Sequence, residues 1–259
     1  MKIYMLTDLE GVAMVSRFDQ TGRDGDSPAK HLAMKLLTAE VNAAVDGILD
    51  VDSSAEVIVL DGHGVGGIDV MEFHPGAKLI SRGPIRPPYY LDSSFDALFV
   101  VGQHAKAGTP NGNLCHSYSS KTIEYVKLNG IEVGEFGAWA FLAGVLGVPA
   151  VFISGDDLAV AEARELVPGI FGVAVKQSLG YELALHLSPQ RSRQRIRETA
   201  AEACRHIETI KPLKLDPPYE LEIRRLLGQP QPRVLPAGAR ELDSRTVLYT
   251  AEQIWDLPV

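Results

Sequence analysis

Short apolar runs that alternate with helical patterns constrain the fold of this chain more than any other feature of its sequence. Four such runs, rich in Val, Ile, Leu and Phe, occupy residues 3–6, 57–60, 97–101 and 150–153. Near-continuous apolar runs of this length are typical of strands that are buried on both faces of a largely parallel sheet. The four runs therefore predict the central strands of such a sheet.

Helical patterns lie between and after these runs. Residues 28–50 carry apolar side chains at helical spacing and begin with Pro28, a residue that suits the first turn of a helix. Further helices are predicted at 136–146, 158–166 and 189–210. The alternation predicts an α/β fold with a layered, largely parallel central sheet flanked by helices.

The sequence changes in character from about residue 176. A helical stretch is followed there by proline-rich segments at 216–218 and 229–232, and then by an apolar run at 246–250 that predicts a short strand. We therefore predict that residues 1–175 form the main α/β domain and that residues 176–259 form a smaller C-terminal α+β part packed on it.

Composition and charge exclude several classes of protein. The chain has 259 residues, 46% hydrophobic and 22% charged, so it can bury a sizeable core and differs from disordered segments. Its formal net charge of −8 argues against nucleic acid or an anionic membrane as a partner, since both require a basic face. Two cysteines cannot form a disulfide framework, which favours a reducing, cytoplasmic location. We expect no membrane span, and we expect the opening residues to form a strand and not a signal peptide.

The apolar runs end in residues of the types that bind metal ions. The first run is followed by Asp8 and Glu10, the second by His63 and the third by His104. In open α/β sheets the binding crevice lies beyond the carboxyl ends of the strands, so parallel strands would bring these four side chains to one rim. Glu135, just before a predicted helix, is a fifth candidate. Each has an ordinary alternative, because strand ends also carry plain turn residues and acids favour helix N-termini.

The charge of this set favours a pair of divalent cations. Three carboxylates and two neutral imidazoles carry a total charge of −3, and clustered carboxylates without compensation are unfavourable. Two divalent cations and one bridging hydroxide bring the site close to neutrality. Mixed imidazole and carboxylate ligands suit Zn²⁺ best, with Mn²⁺ or Co²⁺ as alternatives. The short side chain of Asp8 is our choice for the bridging ligand.

Six short motifs carry a resemblance to a known family. They are Thr-Asp-Leu-Glu-Gly at 7–11, Asp-Gly-His-Gly at 61–64, Gly-Gln-His-Ala at 102–105, His-Ser at 116–117, Val-Gly-Glu at 133–135 and Gly-Asp-Asp at 155–157. In this order and spacing they resemble the zinc D-aminopeptidase family, the DppA-like M55 peptidases. The resemblance covers most of the chain and is strongest from residue 1 to about 177.

The resemblance implies a site, a substrate and an assembly. It implies hydrolysis of short peptides that begin with a D-residue such as D-Ala, and a homo-oligomer in the form of a ring-shaped decamer. It places the family's catalytic histidine at His116. It implies a dinuclear zinc site whose ligands are Asp8, Glu10, His63, His104 and Glu135.

The expected reaction is attack on the peptide carbonyl by a hydroxide that bridges two zinc ions, since paired cations stabilise hydroxide near neutral pH. His116 then either donates to the oxyanion or protonates the leaving amine, and direct nucleophilic attack is a less economical third role. Asp156 and Asp157 are either partners of the metal ligands or caps of the helix that follows.

Other interpretations compete with a peptidase. A two-metal phosphoesterase would need cations beside the metals, and Lys106 and Arg82 are the candidates. A non-catalytic zinc-binding assembly protein would instead use closed, cysteine-rich ligation. Residues 62–67 match the G-x-G-x-x-G pattern of dinucleotide sites, but no good helix start follows them. Lys106 and Lys176 are either partners of carboxylates near the site or solvated, and we expect them to be solvated. We expect Cys115 to be a packing residue.

Overall fold

A computed structural model describes residues 1–22, 25–81, 85–230 and 235–258. The strands within these residues are, in chain order, β1 (Lys2–Thr7), β2 (Glu56–Asp61), β3 (Ala77–Ile80), β4 (Ala97–Gln103), β5 (Ile123–Leu128), β6 (Ile131–Glu132), β7 (Ala150–Asp156), β8 (Phe171–Gly180), β9 (Leu183–His186), β10 (Tyr219–Arg225), β11 (Ala239–Asp243) and β12 (Thr246–Ala251). The α-helices are α1 (Pro28–Val51), α2 (Glu135–Val145), α3 (Asp157–Leu166) and α4 (Pro189–Arg205). No helix in the described residues is both long enough and apolar enough to cross a membrane.

Seven strands form a largely parallel sheet in the order β3-β2-β1-β4-β7-β8-β9. All neighbours are parallel except β9, which runs antiparallel to β8 at one edge. The four predicted apolar runs are β1, β2, β4 and β7, which lie side by side in the middle of the sheet and are almost entirely buried. The predicted α/β fold with a largely parallel central sheet is confirmed.

Five other strands form a separate antiparallel sheet in the order β11-β12-β10-β5-β6. This sheet joins a hairpin from the middle of the chain, β5–β6, to three strands near the C-terminus. β12 confirms the predicted strand at 246–250. The sequence analysis does not predict the other four, because charged residues interrupt their apolar residues, as in Tyr-Glu-Leu-Glu-Ile-Arg-Arg of β10. The division of the chain at residues 175 and 176 stays a prediction.

The segment after residue 176 contains more strand than predicted. β8 continues to Gly180, and β9 follows it where helical structure is expected from the sequence. α4 begins at Pro189, as predicted, after Ser188 caps its first turn. It ends at Arg205 and not near 210, because the His206 N–H bonds to the carbonyl group three residues back and tightens the last turn.

Helix α2 connects the two sheets. Ala140 and Ala143 belong to the hydrophobic core of the seven-stranded sheet, whereas Phe141 and Leu142 belong to the core of the five-stranded sheet. A helix that is apolar on nearly every side is a buried helix, and α2 is buried because it lies between the two cores. This packing fixes the position of Glu135, its first residue.

Candidate metal centre

The loop after β1 carries two buried carboxylates, Asp8 and Glu10. This loop lies against the end of β4: the Asp8 N–H donates to the carbonyl oxygen of Val101 at 2.9 Å, and the Gly11 N–H donates to that of Gly102 at 2.7 Å. Gly102 has a φ of +82°, and a Cβ at this position would lie 2.0 Å from the Asp8 carbonyl oxygen. Glycine is therefore required for the close approach that fixes the two carboxylates.

Two imidazoles follow β2 and β4, and backbone carbonyl groups orient them. Nδ1 of His63 lies 3.3 Å from the carbonyl oxygen of Gly66, and Nδ1 of His104 lies 2.9 Å from that of Ala105. Because a carbonyl oxygen can only accept, Nδ1 of each ring must carry the hydrogen. In the neutral ring the lone pair is then on Nε2. A hydrogen bond at one nitrogen that leaves the other for a cation is typical of metal-binding histidines.

Glu135, at the start of α2, and His116, in the loop after β4, lie near these carboxylates and imidazoles. Oε1 of Glu135 accepts a hydrogen bond from the Tyr118 N–H at 2.7 Å. Leu114 and Tyr118 have φ values of +53° and +60°, in the left-handed region that favours glycine. Such backbone strain is concentrated at functional sites, and here it shapes the segment that presents His116.

The ring of His116 stacks on the ring of His104, with centroids 3.9 Å apart and an interplanar angle of 11°. Its Nδ1 lies 2.7 Å from the carbonyl oxygen of Leu114, and its Nε2 lies 4.0 Å from Oε1 of Glu135. His116 therefore stands beside the candidate ligands, where a catalytic group is predicted. It is also close enough to His104 and Glu135 to act as a ligand itself.

The predicted site residues converge into two groups of three donors. Within each group, one donor atom from every residue lies within 4.8 Å of the others. The first group contains Asp8, Glu10 and His63, and the second contains His104, His116 and Glu135. The groups adjoin, because Oδ2 of Asp8 lies 3.1 Å from Nε2 of His104. The same His104 nitrogen lies 3.6 Å from Oε1 of Glu135.

Three buried atoms at this place have no hydrogen-bond partner in the described part of the chain: Asp8 Oδ2, Glu10 Oε2 and His104 Nε2. Buried polar atoms without partners are unfavourable, and divalent cations bound in the two groups would satisfy them. The donors are carboxylate oxygens and imidazole nitrogens without a thiolate, a set found in open catalytic zinc sites. The residues present therefore fit the zinc that the sequence predicts.

Burial and neighbouring charges shift the pKa values of the carboxylates. Burial, with the neighbouring charge of Glu10, raises the pKa of Asp8 to about 7. Burial also opposes ionisation of Glu10, but the charge of His63 and its hydrogen bond outweigh burial and hold the pKa of Glu10 well below its usual value. The cluster therefore needs positive charge close to it, which protonated imidazoles or metal cations can supply.

The pKa values of the three histidines at this place shift in opposite directions. Burial works to lower the pKa of His63 and His104, yet Glu10 raises that of His63 to about 9 and Asp8 raises that of His104 well above its ordinary value. For His116, burial and the charge of His104 lower the pKa. A cation that binds at this place must displace protons from His63 and His104, so metal binding becomes stronger as the pH rises.

Asp156 caps α3, one of the two roles that the sequence leaves open. Its Oδ1 accepts from two N–H groups at the start of α3, at 2.9 and 2.8 Å, and so caps the helix. Its Oδ2 accepts from the Ala105 N–H at 3.1 Å, which ties α3 to the residue after His104. Asp157 accepts from the Ser178 N–H at 2.8 Å and thereby holds β8.

Lys176 is buried, so the prediction that it is solvated is wrong. Lys176 is only 2% exposed. Its Nζ donates to the carbonyl oxygens of Glu10 and Val15, at 2.5 and 2.6 Å. It also donates to Oδ1 of Asn113 at 2.7 Å. Lys176 therefore links the loop after β1 to the loop after β4. The sequence contains the signal, because Lys176 follows an apolar stretch of β8 as His104 follows β4.

The remaining candidates lie apart from the cluster or have structural contacts. Lys106 is partly exposed, lies 3.8 Å from Glu132 and lines a separate groove. Burial raises the pKa of the Cys115 thiol, which agrees with its role as a packing residue. Residues 62–67 lie in the loop between β2 and β3, where the described chain has no helix, so the dinucleotide pattern lacks the helix that it requires. Arg82 lies outside the described residues.

Two cavities meet at the cluster, and we name them by their linings. The polar cavity, of about 190 Å³, contains Glu10, His63 and His116 together with Ser119 and Lys121. The apolar cavity, of about 540 Å³, has a mainly apolar surface, to which aliphatic and aromatic side chains contribute. These include Leu6, Leu60, Ile85, Tyr89 and Trp139. The residues that border both cavities are Asp8, Gly62, Tyr118 and Glu135.

Comparison with known proteins identifies the family. The D-aminopeptidase model of peptidase family M55 matches residues 1–258. A D-aminopeptidase of Bacillus subtilis (strain 168) is 33% identical over 217 residues, which cover 82% of this chain and 77% of that protein. The structure of the Zn-dependent D-aminopeptidase DppA from Bacillus subtilis, described as a self-compartmentalizing protease, matches with a TM-score of 0.88 and 28% identity over 98% of this chain and 93% of that one. The chain therefore belongs to the M55 family of D-aminopeptidases and is a metallo-aminopeptidase.

Proposed function

We propose that this protein is a zinc aminopeptidase that removes the N-terminal residue, a D-amino acid such as D-Ala, from short peptides. We also propose that each subunit holds two zinc ions, with Mn²⁺ or Co²⁺ as alternatives. The observation that carries the proposal is the convergence of donors from four separate segments, with three buried donor atoms that have no hydrogen-bond partner in the described part of the chain. The similarity to a zinc-dependent D-aminopeptidase supports the choice of metal and of substrate class.

We assign the ligands from their grouping. Glu10 and His63 would hold one ion, and His104 and Glu135 the other. Asp8 is the ligand that we assign to both ions. It belongs to the group of Glu10 and His63, and its Oδ2 also lies 3.1 Å from Nε2 of His104.

Zinc, when bound, polarises a carbonyl oxygen as a Lewis acid and lowers the pKa of water toward neutrality. The chain itself supplies orientation and charge. Carbonyl groups hold Nδ1 of His63 and His104 and so keep Nε2 of both rings turned to the site. Lys176 and Asp156 hold the two loops that carry the donors. Hydrogen bonds that involve the backbone thus help to keep the donor atoms close together.

We assign His116 as the residue that moves a proton. Its Nδ1 is engaged with the Leu114 carbonyl group, so Nε2 is the atom that faces the site. Its lowered pKa favours the neutral ring at neutral pH. Nε2 can then accept a proton and return it to the leaving amine, and in the protonated form the same atom can donate to an oxyanion. A role as metal ligand is the alternative, and zinc content after substitution distinguishes the two.

We further propose that the protein forms a homo-oligomer, a ring-shaped decamer, in the cytoplasm. The similar protein from Bacillus subtilis is described as self-compartmentalizing, which supports an assembly that encloses its active sites. Both cysteines, Cys115 and Cys204, are free thiols, which agrees with a reducing compartment. Size-exclusion chromatography with light scattering measures the subunit number directly.

One set of assays tests the proposed function. Purified protein is incubated with the p-nitroanilides of D-Ala and L-Ala and with bis(p-nitrophenyl) phosphate, before and after treatment with a chelator. We expect cleavage of the D-Ala amide, its loss after chelation and its return when zinc is added. Cleavage of the phosphate diester alone, or amide cleavage that persists when elemental analysis shows no metal, would contradict the proposal.

A further inference from the structure

We propose that the apolar cavity receives the side chain of the substrate's N-terminal residue, and that the enzyme therefore prefers large apolar residues, of the size of Leu or Phe, to Ala. The inference rests on the proposed function, because it requires that the scissile bond lies at the candidate metal centre. Beyond that function, it specifies which class of N-terminal side chain the enzyme prefers.

The apolar cavity is large enough for a bulky side chain. An engineered apolar cavity of about 150 Å³ holds a benzene molecule, and pockets for small ligands measure about 300–1,000 Å³. The apolar cavity, at about 540 Å³, lies within this range, whereas the polar cavity, at about 190 Å³, lies below it. A single methyl group would leave most of the apolar cavity unfilled, so a larger side chain buries more surface there.

Aliphatic and aromatic side chains line part of the apolar cavity. Leu6 and Leu60 come from the ends of β1 and β2, and Ile85, which follows β3 in the chain, also lines the cavity. Tyr89 and Trp139 form an aromatic wall with ring centroids 5.1 Å apart. Aliphatic and aromatic walls of this kind gain free energy from contact with a hydrocarbon side chain.

Charge determines which end of a peptide faces the apolar cavity. Its described lining residues include the carboxylates Asp8, Asp61 and Glu135 and no Lys or Arg. A substrate carboxylate would meet repulsion there, whereas the N-terminal amine would not. Carboxylates border the polar cavity as well, but its described lining also includes the cationic side chain of Lys121, which the apolar cavity lacks. A short peptide therefore fits with its N-terminal residue in the apolar cavity and its C-terminal carboxylate in the polar cavity.

The expected selectivity is large enough to measure. One methylene in a hydrophobic pocket changes kcat/KM by about 10–200-fold. Because Leu exceeds Ala by three carbon atoms, we expect kcat/KM for the D-Leu p-nitroanilide to exceed that for the D-Ala p-nitroanilide by at least about tenfold. The D-Phe p-nitroanilide should exceed the D-Ala compound by a similar factor.

A matched pair of variants assigns this selectivity to the apolar cavity. Ile85→Trp fills the cavity from its rim, and Ile131→Trp introduces the same change on β6 at a residue with the same exposure, 39%. We expect the D-Leu to D-Ala ratio of kcat/KM to fall toward about one in Ile85→Trp and to keep its wild-type value in Ile131→Trp. An unchanged ratio in Ile85→Trp, with the fold verified by circular dichroism, would overturn the inference.

The outcomes separate this inference from the proposed function. Cleavage of the D-Ala compound with no advantage for D-Leu or D-Phe refutes the cavity assignment alone. No cleavage of any compound by zinc-loaded protein refutes the proposed function.

A binding measurement tests the cavity without catalysis. In Trp255→Phe, Trp139 is the only remaining tryptophan of the chain's two and borders the cavity. The fluorescence emission of Trp139 is measured as D-leucine or D-alanine is added. A half-maximal change at a lower concentration of D-leucine than of D-alanine supports the inference. An equal response to the two amino acids, or no response to either, contradicts it.

Discussion

The two sheets of this molecule differ in what the ends of their strands bring together. In the seven-stranded sheet, β1, β2 and β4 run in the same direction, so their carboxyl ends meet at one rim, where Asp8, His63 and His104 lie close together. In the five-stranded sheet neighbouring strands alternate in direction, so consecutive ends fall on opposite edges. A parallel sheet gathers residues that are distant in the sequence, and this antiparallel sheet does not.

Charged side chains reflect the same difference. In the five-stranded sheet they pair near the surface, as in Arg224 with Asp243, whose nearest atoms are 2.8 Å apart. At the rim of the seven-stranded sheet they are buried, and three of their atoms have no hydrogen-bond partner among the described residues. Surface pairs contribute about 0–1 kcal/mol each, whereas buried charges without compensation are costly. Substitutions at the rim should therefore have large effects, and equivalent substitutions in the five-stranded sheet should have small ones.

The largest effect is expected for Asp8→Ala. If Asp8 binds both ions, its loss removes zinc and lowers kcat/KM by at least about 10,000-fold, a change of about 5.5 kcal/mol in the activation free energy. Elemental analysis and the D-Ala p-nitroanilide assay measure the two quantities. Asp243→Ala, in the surface pair of the five-stranded sheet, is the matched control and should keep both. Full zinc occupancy in Asp8→Ala would show that Asp8 is not the bridging ligand.

His116→Ala should reduce kcat by about 1,000-fold, because it removes the group that moves the proton. Zinc content should stay at the wild-type value, since our assignment does not make His116 a ligand. His206→Ala changes an exposed histidine at the end of α4 and serves as the control. A loss of zinc in His116→Ala would instead identify His116 as a ligand of the second group.

Lys176→Met should lower the free energy of unfolding by about 4 kcal/mol, because it leaves the carbonyl groups of Glu10 and Val15 without their buried donor. Lys127→Met, in β5, should change it by less than about 1 kcal/mol, since Lys127 lies over the ring of Tyr125 near the surface. Urea unfolding of the two variants measures the difference. Equal effects would contradict the contrast between the sheets.

Glu40→Gln should change how stability depends on pH. Glu40 is buried between α1 and α4, where it accepts from the Ala13 N–H and the Ser192 hydroxyl group. Burial raises its pKa from 4.5 to about 7. The folded state therefore binds this proton more tightly than the unfolded state, so the contribution to stability is complete below about pH 4.5 and is lost as the pH rises through 7.

The contribution of Glu40 to the free energy of unfolding that is lost as the pH rises is about 3 kcal/mol. Glu40→Gln stays neutral and should not show it. Unfolding free energies at pH 5 and pH 8 make the comparison: the wild type should lose more stability than the variant over this interval. An identical change in the two proteins would show that Glu40 is not the group responsible.

The sequence predicts the centre of the seven-stranded sheet well because burial on both faces leaves uninterrupted apolar runs. The same runs predict that Asp8, Glu10, His63 and His104 meet at one rim, and the structure brings them together. Their role as metal ligands stays a prediction. The strands of the five-stranded sheet are not predicted, because a half-exposed strand mixes charged and apolar residues and its partners are distant in the sequence.

Tertiary packing hides other parts of the site from sequence analysis. Tyr118 borders both cavities because Leu114 and Tyr118 adopt positive φ, which their residue types do not suggest. The apolar cavity exists because Leu60, Tyr89 and Trp139 come together from three distant segments. None of these residues carries a motif, so only the folded chain shows that they share a wall with the candidate ligands.

X-ray diffraction from crystals of the native protein at the zinc absorption edge is the most direct test of the metal centre. Our account predicts two anomalous peaks per subunit at the shared wall of the cavities, one on each side of the Asp8 carboxylate. The absence of anomalous density among Asp8, Glu10, His63, His104 and Glu135, in protein that cleaves the D-Ala p-nitroanilide, would contradict it.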